Sequence, residues 1–298
     1  MVSRKYTRKE TKTVQNTTTI AVFGAGGNMG TRVTNALKDE PGYRMLNVEK
    51  SEQGRIRLRE RGLEVSEQED ALREADVVIL AVPDALIGEV ATEIVPDLKS
   101  QAMLICLDPA APYAGKLPER EDVSYFVTHP AHPPVFNDET DPEARRDFFG
   151  SGKAKQAIVN ALMQGPEEDY ARGEAIASKM WKPVLRSHRV TVEQMAMLEP
   201  VLSETIACTC AVVMREAMDE SIRRGVPAEA ARDFLMGHIN IALAVAFDEI
   251  EWDFSAGAKM AIEEAKKDIF QPDWKKVFEP ESLRQSVANI TGDVLPMG

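Results

Sequence analysis

A chain of 298 residues has room for two domains with separate hydrophobic cores. Its net charge of −12 argues against a nucleic-acid binder, whose affinity rests on neutralising phosphates. With 44% hydrophobic and 28% charged residues it reads as a soluble protein, and no uninterrupted apolar run approaches a bilayer span, so no membrane partner is expected.

Residues 1–17 are polar, with scattered Lys and Arg and no apolar core of a secretory signal, so a flexible arm is expected there. Three cysteines, Cys106, Cys208 and Cys210, cannot all pair. Cys208 and Cys210 stand two apart on an expected helix and point in different directions, which suits the core thiols of a cytoplasmic protein better than a disulfide or a zinc site.

From Thr18 the chain alternates strand-like and helix-like segments. TTIAVFG is apolar and β-branched, NMGTRVTNALKDE has helical spacing, and YRMLNVE reads as a second strand before the charged stretch EKSEQGRIRLRERG. DVVILAVP is a continuous apolar run of the kind found in a strand buried on both faces, DALIGEVATEIVPDL reads as helix, and AMLICLDP and VSYFVTHP as further strands. This alternation predicts an α/β fold, a doubly wound parallel Rossmann sheet over residues 18–165. Within it, 138–165 is a mixed zone in which KQAIVNALM reads as one more strand. From 166 to 298 the patterns are helical and, around 191–247, apolar on nearly every side, which predicts a helical domain that packs against a second subunit.

Between the first strand and helix lies VFGAGGNMG, with Gly24, Gly26, Gly27 and Gly30. A glycine-rich strand-to-helix turn lets backbone approach a pyrophosphate and offers free N–H groups at the positive end of the helix dipole. The expected cradle is Gly24, Gly26, Gly27, Asn28, Met29 and Gly30. Glu49 ends the second strand 19 residues after Gly30, where an acid can accept hydrogen bonds from ribose hydroxyls and repel a 2′-phosphate, favouring NAD. Lys50, Ser51 and Arg55 follow and could hold a phosphate instead. Val82, Pro83 and Asp84 close DVVILAVPD where the nicotinamide half of the site would lie.

The order of GAGGNMG, ADVVILAVPD, LDPAAP and THPAHP, leading through FFGSGKAKQAIVNALMQG into long helices, resembles the 6-phosphogluconate/β-hydroxyacid dehydrogenase-like superfamily. The resemblance implies hydride transfer to or from a nicotinamide and a homodimer built through the C-terminal helices. Classical members carry a catalytic Lys near the first long C-terminal helix, but no Lys occurs here between Lys182 and Lys259. THPAHP is similar to the segment of prephenate dehydrogenases whose His contacts the hydroxyl being oxidised, which maps to His129. VEQMAML is similar to the helix of ketol-acid reductoisomerases whose Glu binds metal, which maps to Glu193. The Asp those enzymes place four residues earlier is Arg189 here, so their two-magnesium site does not carry over.

Read from the residues alone, His129 and His132 flank prolines and cannot share a helix; either could take a hydroxyl proton. A divalent metal such as zinc could be held by His132 and Glu193. Glu193 also follows the expected N-cap Thr191, where an acid is favoured by the helix dipole alone. Glu204 falls three turns along the same face, Pro200 should kink the helix, His238 is an outside candidate, and His188 is expected at the surface with Arg145, Arg146, Lys153 and Lys155. The expectation is an NAD-dependent oxidoreductase of a small hydroxy acid or sugar acid, with His129, His132 and Glu193 as catalytic candidates and oxidation coupled to a skeletal shift within reach. Two alternatives stay open: an NADPH-dependent reductase of the ketol-acid or imine type, and a non-catalytic NAD-sensing dimer.

Overall fold

The computed structural model describes residues 17–292, so all but Thr17 of the expected arm lies outside the described residues. Chain contacts divide it into two units, one reaching to Met195 and including Ile290–Gly292, the other spanning Ala196–Asn289.

The first unit holds a seven-stranded sheet. Its strands are β1 (Thr18–Phe23), β2 (Tyr43–Val48), β3 (Val77–Leu80), β4 (Met103–Cys106), β5 (Ser124–Pro130), β6 (Gln156–Gln164) and β7 (Val184–Arg189). They lie in the order β2-β1-β3-β4-β5-β6-β7. The first five run parallel, β6 pairs antiparallel with β5, and β7 pairs parallel with β6. Strand order reverses at β1, so a crevice opens beyond the carboxyl ends of β1 and β3. The helices are α1 (Asn28–Leu37), α2 (Glu52–Glu60), α3 (Gln68–Glu74), α4 (Asp84–Ile94), α5 (Ala110–Tyr113) and α6 (Glu168–Met180).

Alternation along the buried strands sorts the core into two layers. Ala21, Phe23, Val78, Leu80, Leu104 and Cys106 face Leu72 of α3 and Ile87, Ala91 and Ile94 of α4. Ile20, Val22, Val77, Ile79, Met103, Ile105 and Phe126 face Val33 and Leu37 of α1, Leu58 of α2, and Ile176, Met180 and Trp181 on the α6 side. With helices on both faces, continuous apolar strands such as VVIL are buried throughout.

Three local expectations change. The charged stretch after β2 forms α2, because Ser51 caps it through Gly54 N–H and its arginines find carbonyl partners. The sheet runs past the expected boundary at 165/166, since α6 packs on β6 and β7 adds an edge strand. VLRSHR lies at that edge, with only half-buried and exposed residues, so it lacks the apolar signature of the inner strands. His188 is exposed there, as expected.

The second unit is helical. After the short α7 (Val192–Ala196) the backbone winds as a π-helix over Met197–Cys208, with Pro200 inside it, and then as α8 (Thr209–Arg223). Proline cannot donate to the helical ladder, and the wider π turn is where that irregularity is absorbed. Next come α9 (Ala228–Ala246), α10 (Ala256–Ile269) and α11 (Pro280–Thr291). No residue of α8 or α10 is buried, and Phe234 and Trp252 are 69% and 74% exposed. Cys208 is exposed and Cys210 half-buried, so of the expected core thiols Cys106 alone is one. The helical run Val192–Arg223 is long and apolar enough to cross a membrane by length and composition, which the sequence reading missed because acids interrupt the apolar stretch.

Candidate active site

The glycine turn sits at the carboxyl end of β1. Gly24 has φ +76°, and a Cβ there would come 2.5 Å from Ala81 O, while one at Gly30 would collide with Gly24 O. No side chain but hydrogen fits at either position. Gly27 stands as N-cap of α1 and offers no side chain to its N–H groups, so the start of the helix is left open to an anion. These features fit the diphosphate of a dinucleotide. Gly26 crosses Gly54 of α2, where a Cβ would lie 2.5 Å from Gly54 O. Val82 packs on Gly24, and Pro83 caps α4, whose first residue is Asp84.

Glu49 is where the sequence placed it, just past β2, but it is 8% exposed and turned inward. Its Oε2 accepts from Gly26 N–H at 2.9 Å, and its Oε1 accepts from Ser51 N–H and Ser51 Oγ–H. Glu49 therefore braces the glycine turn, a role the sequence did not reveal. Two arginines of α2 complete the brace: Arg57 Nε donates to Gly26 O at 2.7 Å and Arg55 Nε to Glu49 O at 2.8 Å. Lys50 pairs with Glu93.

Along the same sheet edge, β5 delivers His129. Its Nδ1 lies 2.9 Å from Leu107 O, and a carbonyl only accepts, so Nδ1 carries the hydrogen and Nε2 is the basic nitrogen. His132 repeats the arrangement, with Nδ1 3.0 Å from Phe149 O. The two rings meet edge to face, 6.5 Å apart. His132 has φ +59°, a left-handed backbone uncommon for a side-chain-bearing residue.

Asp84, Asp108, His132 and Arg32 lie around His129. Burial lowers its pKa, with the Leu107 hydrogen bond and the Asp84 charge pulling the other way. Asp84 is pushed up to about 6, first by burial and then by the like charge of Asp108. Asp108 Oδ2 stands 4.0 Å from His129 Nδ1, and its Oδ1 accepts from Ala110 N–H. Beneath them burial, Asp108 and Asp84 hold the Cys106 thiol up at about 12, so it is inert at neutral pH. Asp108 belongs to the LDPAAP segment, whose role the sequence left unassigned.

Glu193 is exposed in the first turn of α7, in a helix start closed by Thr191 and Gln194, whose side chains bond reciprocally to each other's N–H groups. Among the described residues no three His, Cys, Asp or Glu side chains assemble to hold a metal. The zinc expected on His132 and Glu193 therefore finds no ligand set here. Glu204 is exposed on the π-helix and His238 is exposed on α9, stacked on Phe234 at 4.0 Å. Arg145, Arg146, Lys153 and Lys155 are exposed, as expected.

Glycine turn, switch-point crevice and a pair of basic imidazoles on one strand end define an oxidoreductase that works with a nicotinamide dinucleotide on a CH–OH group. Comparison with known proteins agrees. Residues 14–133 match the acetohydroxy acid isomeroreductase NADPH-binding domain, and residues 137–291 the C-terminal domain of decarboxylating phosphogluconate dehydrogenase. The D-apionate oxidoisomerase of Cupriavidus necator is 57% identical, with 91% of this chain and 99% of the relative covered. That of Rhizobium rhizogenes is 54% identical, over 92% of this chain and 100% of the relative. A crystal structure of a semialdehyde dehydrogenase NAD-binding protein from Cupriavidus necator in complex with calcium and NAD is 56% identical. It superposes with a TM-score of 0.90, covering 92% of this chain and 99% of that one. The chain belongs to the D-apionate oxidoisomerase family, within the 6-phosphogluconate dehydrogenase-like superfamily.

Proposed function

We propose that the protein oxidises D-apionate, or a sugar acid of the same branched kind, with NAD and rearranges its carbon skeleton. The observation that carries this reading is the pair of imidazoles on one strand end, both holding hydrogen on Nδ1 and both left basic at Nε2, in a chain 57% identical to a D-apionate oxidoisomerase. When bound at the glycine turn, NAD supplies the hydride acceptor. Gly27, Asn28, Met29 and Gly30 would hold its diphosphate, and Val82, Pro83 and Asp84 border the ring. His129 takes the hydroxyl proton on Nε2 as the carbon loses hydride and becomes a carbonyl. Its lowered pKa keeps it neutral and ready at working pH. His132 takes the proton of a neighbouring hydroxyl. The oxygen left charged forms a second carbonyl as one substituent moves with its electron pair to the first, which picks up the proton. Two protons in turn need two bases, and the site offers two.

NAD over NADP is supported by Glu49, whose buried carboxylate at the end of β2 would repel a 2′-phosphate. A homodimer is supported by the bare apolar faces of α8, α9 and α10. Charges at Glu193, Glu199, Glu204, Arg215, Glu216 and Asp219 along the Val192–Arg223 run suit a protein partner better than lipid. A cytoplasmic setting suits the free thiols Cys106, Cys208 and Cys210.

The test is NADH formation from D-apionate, with unbranched sugar acids and NADP as comparison arms. The expected result is turnover of D-apionate with NAD, lowered at least about 100-fold in His129→Ala. No turnover of D-apionate alongside turnover of another hydroxy acid overturns the substrate. Undiminished turnover in a His129→Ala, His132→Ala double variant overturns the site.

A further inference from the structure

Arg32 sits in α1, two residues past the last glycine of the turn, yet its guanidinium serves the other side of the site. Nη2 donates to Gly150 O at 2.7 Å and approaches Gln156 Oε1 at 3.3 Å. The cation lies between two rings, 4.7 Å from the centroid of Phe149 and 4.7 Å from that of Trp181. Phe149 in turn touches His132 twice: its carbonyl accepts from His132 Nδ1 at 3.0 Å, and its ring lies 5.2 Å from the imidazole. Five further hydrogen bonds tie the loop and its neighbours. Gln156 Nε2 donates to Trp181 O at 2.8 Å and to Gly150 O at 3.3 Å, and Asp147 accepts from the N–H groups of Ser151, Lys153 and Ala154. Gly150 itself has φ +75°, and a Cβ there would meet Gln156 Oε1 at 2.5 Å.

The segment 148–150 is thus a short bridge with Arg32 at one end and His132 at the other. Phe149 is itself exposed, so its ring is held by the stacked guanidinium and the His132 imidazole rather than by the core, while Gln156 and Asp147 tie the backbone that follows. A left-handed backbone at His132 persists only where its surroundings over-determine it.

We propose that Arg32 is a positioning residue of the reaction: by holding the Phe149 ring and the Gly150 carbonyl it fixes the Phe149 C=O between them, which selects the His132 tautomer with hydrogen on Nδ1 and orients that imidazole. Because Arg32 rides on the helix that begins at the glycine turn, the second base is aligned from the cofactor's own helix. The inference deepens the proposed function, since it assumes that His132 works as a base.

The test uses the full-length protein with two variants, Arg32→Lys, which keeps the charge but not the planar stack, and Phe149→Leu, which removes the ring. Nitrogen-15 NMR of the imidazoles reports the His132 tautomer without any substrate. Turnover of D-apionate with NAD reports the chemistry, and KM for NAD reports the cofactor helix. In both variants the expected result is a mixed tautomer for His132, an unchanged one for His129, and kcat lower by about 10- to 100-fold with KM for NAD nearly unchanged. A His132 signal still of a single Nδ1–H tautomer in both folded variants overturns the proposal. A mixed tautomer with kcat unchanged upholds the positioning of His132 and overturns instead its role as a base.

Discussion

Asp84 holds its charge in a place that resists it. Burial and Asp108 raise its pKa from 3.8 to about 6, so between those values the folded protein keeps a proton that the unfolded chain has lost. Stability from this group therefore falls as pH rises through that window. An Asp84→Asn variant has no such slope, and thermal unfolding should find it more stable than the parent at pH 7, by about 1 kcal/mol once partial solvent screening is allowed for. The gap should close below pH 4. The same substitution removes a charge that favours protonated His129, so the acid limb of kcat/KM for oxidation should move to lower pH. A limb that stays in place would separate Asp84 from His129. Glu49 teaches a related lesson: the residue type at the end of β2 was readable, whereas its partner, Gly26 N–H, required the fold.

At the scale of elements, α6 presents Gly173 to the face of the sheet, where a Cβ would run into the ring of Phe126. Helix propensity alone favours alanine there by about 1 kcal/mol. Overpacking against a fully buried ring costs about 1–3 kcal/mol, and it wins because Phe126 lies at 0% exposure with no room to move. Gly173→Ala should therefore lower the denaturation midpoint, with a rise refuting the packing described. The inner strands and the helices between them were legible because apolar runs and helical spacing survive in the sequence. β7 was not, since an edge strand needs no apolar face, and α2 was obscured by charges whose partners are carbonyls of the glycine turn.

For the molecule as a whole, the helical unit leaves Phe234, Phe247, Trp252 and Met260 exposed together with most of α8 and α10. Exposed apolar side chains in such number support the proposed homodimer. Sedimentation should give twice the chain mass, and Phe234→Asp should shift the species towards the single chain; a monomeric parent would remove the dimer from the reading.

The amino-acid order alone was enough for the α/β class, the glycine turn, the acid after β2, the imidazoles of THPAHP and the absence of the lysine that simpler dehydrogenases use. Each is a local pattern, carried by neighbours within a few positions. What folding added are the pairings between distant segments: Glu49 on Gly26, Asp108 beside His129, and Arg32 reaching 118 positions along the chain to Gly150. Hydrogen bonds and stacked rings of this kind depend on where chain segments cross, and no spacing in the sequence records a crossing.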